Sequence, residues 1–144
     1  MGIRTSGLLA GLALSSLLAA TAGATEMAVI VSVRSGAPAL RAEQVAAIFL
    51  GQSGRFPDGL EAVALDQPIG APLRDEFYLR VANKSPAQLK SWWSKIVFTG
   101  RGQPPREAAN SAAVRKLVAR NPSMIGYIER AALDASVRPL LLLR

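Results

Sequence analysis

The sequence predicts an α/β domain, a single sheet with helices on both faces. Four short apolar runs, rich in β-branched residues, read as strands. About four segments with apolar residues at helical spacing alternate with them. Half the chain is apolar and it has no cysteine, so the core has to hold without staples.

The elements follow in order. Ala28-Val29-Ile30-Val31-Ser32-Val33 is the first strand and is expected to be central. Arg34 to Pro38 breaks it. A helix covers about Ala42 to Phe49, with Val45, Ile48 and Phe49 on one face and Gly51 just past its end. Arg41 stands where a Ser or Thr cap would be preferred. Phe56-Pro57-Asp58-Gly59 is a turn. It leads into Ala62-Val63-Ala64-Leu65, a run without alternation that reads as a strand buried on both faces. Asp66 ends this strand. Gln67-Pro68-Ile69-Gly70-Ala71-Pro72 is a loop, and a helix starts near Leu73 with Phe77 and Val81 on the same face.

Ser85-Pro86-Ala87-Gln88 opens the next helix with a cap, a proline at the first helical position and a reciprocal capping-box partner. Leu89, Trp92, Trp93, Ile96 and Val97 form its stripe, so the tryptophans are core residues before they are ligand contacts. Phe98 to Pro105 is the longest irregular segment. Asn110 or Ser111 caps a helix carrying Val114, Leu117 and Val118. Ile125-Gly126-Tyr127-Ile128 is a short strand whose glycine suggests close approach of another backbone. Ala131 to Ala135 makes a last turn. Val137 to Leu142 is the final strand, placed at a sheet edge by Pro139.

Ahead of these elements stands a leader. Arg4 supplies a positive start, Gly7 to Ala20 an apolar and small-residue run, and Ala22-Gly23-Ala24 an A-x-A cleavage signature. Residues 1–24 are expected to be a secretory signal peptide cleaved after Ala24, and residues 25–144 the domain. The run is shorter than the roughly 18 apolar residues of a membrane span, so no span is expected after cleavage.

Composition excludes several kinds of chemistry. The sequence has no histidine and no cysteine, which removes the usual zinc and haem ligands, Ser-His-Asp triads and Cys-His nucleophiles. Neither an enzyme nor a cofactor is expected, and no metal site or catalytic residue is assigned. The net charge is +7, or +6 without Arg4, which favours anions in general. The basic residues are scattered and carry no nucleic-acid motif, so nucleic acid is not an expected partner.

A ligand site, if present, belongs at the strand-loop-helix junction after Asp66. There free backbone N–H groups and the positive end of a helix favour negative charge. The candidate anion-binding residues are Gln67, Gly70, Ala71 and Arg74. The loops after Val33, Asp66 and Ile128 all leave carboxyl ends of strands, where ligands of such sheets sit.

Several segments together resemble a known family. They are Glu43-Gln44-Val45-Ala46-Ala47-Ile48-Phe49-Leu50-Gly51, the helix with Phe77, Trp93 followed by Phe98-Thr99-Gly100, and Asn121-Pro122-Ser123-Met124-Ile125-Gly126-Tyr127. In this order they resemble the small one-lobe relatives of the phosphate-type ABC transporter substrate-binding proteins. The resemblance implies a single-lobe periplasmic-binding-protein-like three-layer fold, with a mixed sheet flanked by helices, in the periplasm. It also implies phosphate or a similar small anion as ligand, and an ABC transporter or other envelope protein as partner.

In the two-lobed members the corresponding loop is Arg-x-x-Ser-Gly-Thr-like, and its Arg and hydroxyls hold phosphate. Here the strand ends in Asp66 and the loop reads Ile69-Gly70-Ala71, with only the glycine in common. Each lost charge-assisted bond is worth roughly 1.5–3 kcal/mol, so the expected binding is weak if it occurs at all. An arginine in place of Asp66 is expected to strengthen it. The alternative is a protein-interaction module that has lost anion binding and docks a partner, or itself, through the former cleft face.

Overall fold

The computed structural model describes Gly2 and residues 25–144; the expected signal peptide and its cleavage site after Ala24 fall outside the described residues. Five strands form one mixed sheet: β1 (Met27–Ser32), β2 (Val63–Asp66), β3 (Arg106–Glu107), β4 (Met124–Glu129) and β5 (Val137–Leu143), in the spatial order β3-β2-β4-β1-β5. β2 runs parallel to β3 and β4, while β1 runs antiparallel to β4 and β5. Three helices, α1 (Ala42–Phe49), α2 (Pro72–Ala82) and α3 (Pro86–Phe98), contribute to the core on one face. The other face carries α4 (Ser111–Arg120) and the short 3-10 turn Arg130–Ala132. The expected three-layer α/β fold with a mixed sheet is what the chain forms.

β1 is central, as its composition suggested, and all its residues are buried. Alternation along it divides the core. Val29 and Val31 join Phe49, Phe77, Tyr127 and Trp93 on one side, and Ala28 and Ile30 join Leu65, Val114, Val118 and Ile128 on the other. β5 is an edge strand, and the register slips between Val29 and Ile30 where Pro139 lies opposite Ile30. A proline lacks the N–H that an interior strand would have to give, so an edge tolerates it.

Helix starts follow their capping chemistry. Ser85 Oγ accepts from the Gln88 N–H at 3.2 Å and Gln88 Oε1 accepts from the Ser85 N–H at 2.9 Å, closing the capping box of α3. Asn110 Oδ1 accepts from the Ala113 N–H and opens α4. At α1 the weak cap Arg41 is offset by Gln44, whose Oε1 accepts from the Arg41 N–H at 2.9 Å. α2 ends at Asn83 in the left-handed region, φ 51°.

Four features differ from expectation. β3 emerges from the long irregular segment because its two residues are held by parallel pairing to β2, which leaves no periodic trace in so short a piece. β2 is fully buried only at Leu65 and Asp66, with Val63 and Ala64 half-buried. The α3 stripe closes at Leu89 and Trp93, with Trp92 and Ile96 packed partly, and Val97 and Phe98 lie exposed at the end of the helix.

Gly126 meets side chains rather than a backbone. A Cβ there would lie 2.5 Å from Val114 Cγ1 and 3.3 Å from Val118 Cγ2, with the nearest backbone atom, the Leu65 carbonyl oxygen, at 3.6 Å. Gly126→Ala is therefore expected to cost about 1–3 kcal/mol by overpacking α4 against the sheet. Urea melts measure this, and a wild-type midpoint would show that α4 can move away freely.

Candidate functional site

β2 and β4 run parallel, so the loops after Asp66 and Glu129 leave the same edge of the sheet. The loop after Val33 leaves the opposite edge, because β1 runs the other way. The site can draw on two of the three loops named from sequence, not all three.

Asp66 is 1% exposed. Its Oδ2 accepts from the Tyr78 hydroxyl at 2.6 Å, and its Oδ1 accepts from the Tyr127 hydroxyl and from the Gln67 N–H, the latter at 2.8 Å. Register brings Tyr127 there: Ala64 faces Ile125 across the parallel pair, so Asp66 and Tyr127 come two residues further along both strands. Tyr78 lies four residues after Arg74 on α2, hence one turn along the same face. Arg74, 8% exposed, places Nε 3.4 Å from Asp66 Oδ2 in a geometry that makes no hydrogen bond, and its Cζ lies 5.3 Å from the centre of the Tyr78 ring. Asp66 therefore neither caps α2 nor faces an open cleft. Its charge is compensated inside the protein.

Both tyrosine hydroxyls are pushed well above their ordinary pKa of 10.0, first by burial, then by the charge of Asp66 and the hydrogen bond to it. A raised native pKa means that the folded protein resists losing this proton. The contribution to stability is complete below the unfolded tyrosine value of about 10 and is lost as pH rises above it. The chain has only these two tyrosines. Absorbance of tyrosinate during an alkaline titration is thus expected to appear together with loss of helical circular dichroism. Smooth ionisation near pH 10 with the fold intact would show that the hydroxyls are free.

The four candidate anion residues divide into two pairs. Gln67 is buried, and its Nε2 donates to Ser111 Oγ and to the Tyr127 carbonyl, both at 3.1 Å, tying β2 to β4 and to the start of α4. The Ala71 N–H donates to the Pro68 carbonyl at 3.0 Å and closes the turn before α2. Gly70, at φ +89°, is exposed and bends the chain into that turn, a conformation L residues rarely take. Gly70 and Arg74 share one groove of about 740 Å³ between this loop and α3, with Ile69, Leu89, Trp93 and Val97 also in its walls. Glu107 closes the far side of the loop by accepting from the Ile69 N–H at 2.7 Å. The sequence reading had not singled out Tyr78 and Tyr127. A signal was available, since a buried tyrosine hydroxyl needs a partner and Asp66 ends an apolar strand.

No protein-family profile matches the sequence, and no curated protein does. Solved structures do match. One is described as a phosphate ABC transporter substrate-binding protein with bound phosphate, from Clostridium perfringens, with a TM-score of 0.61 and 21% identity over 80% of this chain and 44% of the other. Another, an ABC-type phosphate transport receptor from Vibrio cholerae, has a TM-score of 0.61 and 16% identity over 80% of this chain and 46% of the other. The chain has the periplasmic-binding-protein-like fold. It matches one lobe and spans less than half the length of these structures. In this lobe the β2–α2 loop, the start of α4 and the Asp66 cluster lie together at one sheet edge. Among the described residues no helix is long and apolar enough to cross a membrane, and no group of three or more potential ligands could hold a metal ion.

Proposed function

We propose that this lobe is an exported module of the solute-binding type that takes phosphate or a similar small anion weakly at the β2–α2 loop. The observation that supports this reading is the junction itself. Beyond the carboxyl end of β2, Gly70 and the first turn of α2 meet Arg74, and the Gly70, Leu73 and Arg74 N–H groups donate to no described protein group. A helix start carries about half a positive charge. Arg74 adds a full charge that is already shared with Asp66, so the affinity is low and sensitive to salt. Phosphate binding by the relatives makes this anion the first to test, and an ABC transporter is the corresponding partner class. Calorimetric titration of residues 25–144 with phosphate and sulfate is expected to give weak heats that vanish at high ionic strength. No heat at millimolar anion in low salt would remove the reading.

A second reading has its own support. Gln67 and Ala71 are committed to the fold, and Ile69, 78% exposed, and Phe98, 92% exposed, stand on the surface near the groove. On this reading the face docks a partner or a second copy of the chain, and sedimentation of an anion-silent protein as a dimer would favour it. Export is common to both. Intact mass of the protein recovered from the periplasm is expected to start at Thr25, and a mass retaining residues 1–24 would overturn the leader assignment.

A further inference from the structure

The groove between the β2–α2 loop and α3 is too apolar for inorganic phosphate alone. Ile69, Leu89, Trp93, Val97 and Pro104 form its walls, and its volume of about 740 Å³ lies in the range of pockets that enclose small organic ligands. Two buried N–H groups among its lining residues have no hydrogen-bond partner: Arg74 Nε and Trp93 Nε1. Arg74 and Trp93 are respectively 8% and 7% exposed, and groups buried to that degree are nearly always satisfied. Among the described residues the terminal Nη groups of Arg74 make no hydrogen bond either, so its fork of donors is held in place by Asp66 and the Tyr78 ring without being used up. Of the charged groups in the lining, Arg74 and Lys90 are positive and only Asp75 is negative.

We propose that this groove binds an amphipathic monoanion, a molecule with an apolar body and a single carboxylate. Its carboxylate pairs with the Arg74 guanidinium and its body lies along Ile69, Leu89, Trp93 and Val97. A guanidinium fork matches a carboxylate in plane and spacing, and the apolar walls take from water a surface that phosphate does not have. This deepens the anion reading above, since it rests on Arg74 serving an anion. It assigns the rest of the selectivity to the groove.

Octanoate is the probe, with n-octylamine as its cationic counterpart and inorganic phosphate as the reference, followed by calorimetry and by tryptophan fluorescence. Octanoate is expected to bind and to change the emission, with octylamine at least about tenfold weaker because like charges meet at Arg74. Val97→Glu changes an exposed wall position, so the fold is retained. It is expected to weaken octanoate at least about tenfold, because a hydrated charge then lies against the apolar body as well as repelling the carboxylate, and to weaken phosphate by repulsion alone.

If phosphate titrates and octanoate does not, the groove assignment falls and the small-anion reading stands. If octanoate titrates and phosphate does not, the groove assignment stands and the ligand class moves to amphipathic anions. If neither titrates, both fall. Equal affinity for octanoate and octylamine, or no effect of Val97→Glu, would reduce the groove to non-specific apolar binding and overturn the proposal.

Discussion

Asp66→Ala is expected to lower the unfolding free energy by about 3–5 kcal/mol, the range found when one partner of a buried charge pair is removed. The carboxylate is the common acceptor for the hydroxyls of Tyr78 and Tyr127 and the Gln67 N–H, and the counter-charge of Arg74. Alanine leaves both hydroxyls without their acceptor and Arg74 without its counter-charge, and leaves the Gln67 N–H only the Tyr127 hydroxyl oxygen at 3.3 Å. Asp66→Asn keeps the shape and one acceptor oxygen but loses the charge opposite Arg74, so it is expected to fall between alanine and wild type. Urea melts of the two variants order them. An alanine variant within about 1 kcal/mol of wild type would mean that the cluster relaxes onto other acceptors. The expectation that Asp66→Arg strengthens anion binding does not survive this environment: a second guanidinium would be buried beside Arg74 with the Asp66 carboxylate gone and the neighbouring Glu107 already accepting from the Ile69 N–H, and the variant is expected not to fold.

Phe77→Ala is the second large effect, about 3–5 kcal/mol for a fully buried aromatic side chain. The ring is not exposed at all. It stacks on Tyr127 with centroids 3.8 Å apart and planes at 6°, and meets Phe49 and Tyr78 edge-on at 4.9 Å and 5.1 Å. Phe77 therefore wedges both tyrosines in the positions from which their hydroxyls reach Asp66. Truncation is expected to reduce stability and to let tyrosine ionisation begin at lower pH than in wild type. If stability fell while the alkaline titration stayed unchanged, the ring would be filling space without positioning the hydroxyls.

Legibility in the sequence followed the range over which each feature is encoded. β1, the α3 capping box and the edge position of β5 depend on local residue types, and Val29, Ser85 and Pro139 reported them directly. The direction of β1 relative to β4 is not a property of either segment, which is why the loop after Val33 was placed at the wrong edge. The Asp66 cluster joins residues 12 and 61 positions apart. A lone aspartate at a strand end shows nothing of such partners, and so Asp66 read as an obstacle to a ligand instead of as a tied internal charge. Of the candidate site, Gly70 and Arg74 were legible because helix starts and arginines announce themselves. The commitments of Gln67 and Ala71 depend on Ser111, Tyr127 and the exact turn, which only the fold supplies.

The central position of β1 has a consequence for the order in which the chain matures. Met27 pairs with Glu129 on one side and Leu143 on the other, so the first of the described strands waits for the last two of them before it has any neighbour. Pairings this distant close large loops before any contact repays the entropy lost, and they slow folding. Until residues 124–143 have been made, β1 has no strand to pair with, and its six buried residues lack the sheet that covers them. Refolding from urea is accordingly expected to be slower than for helical domains of the same size, and a microsecond folding phase accounting for the whole signal would contradict it.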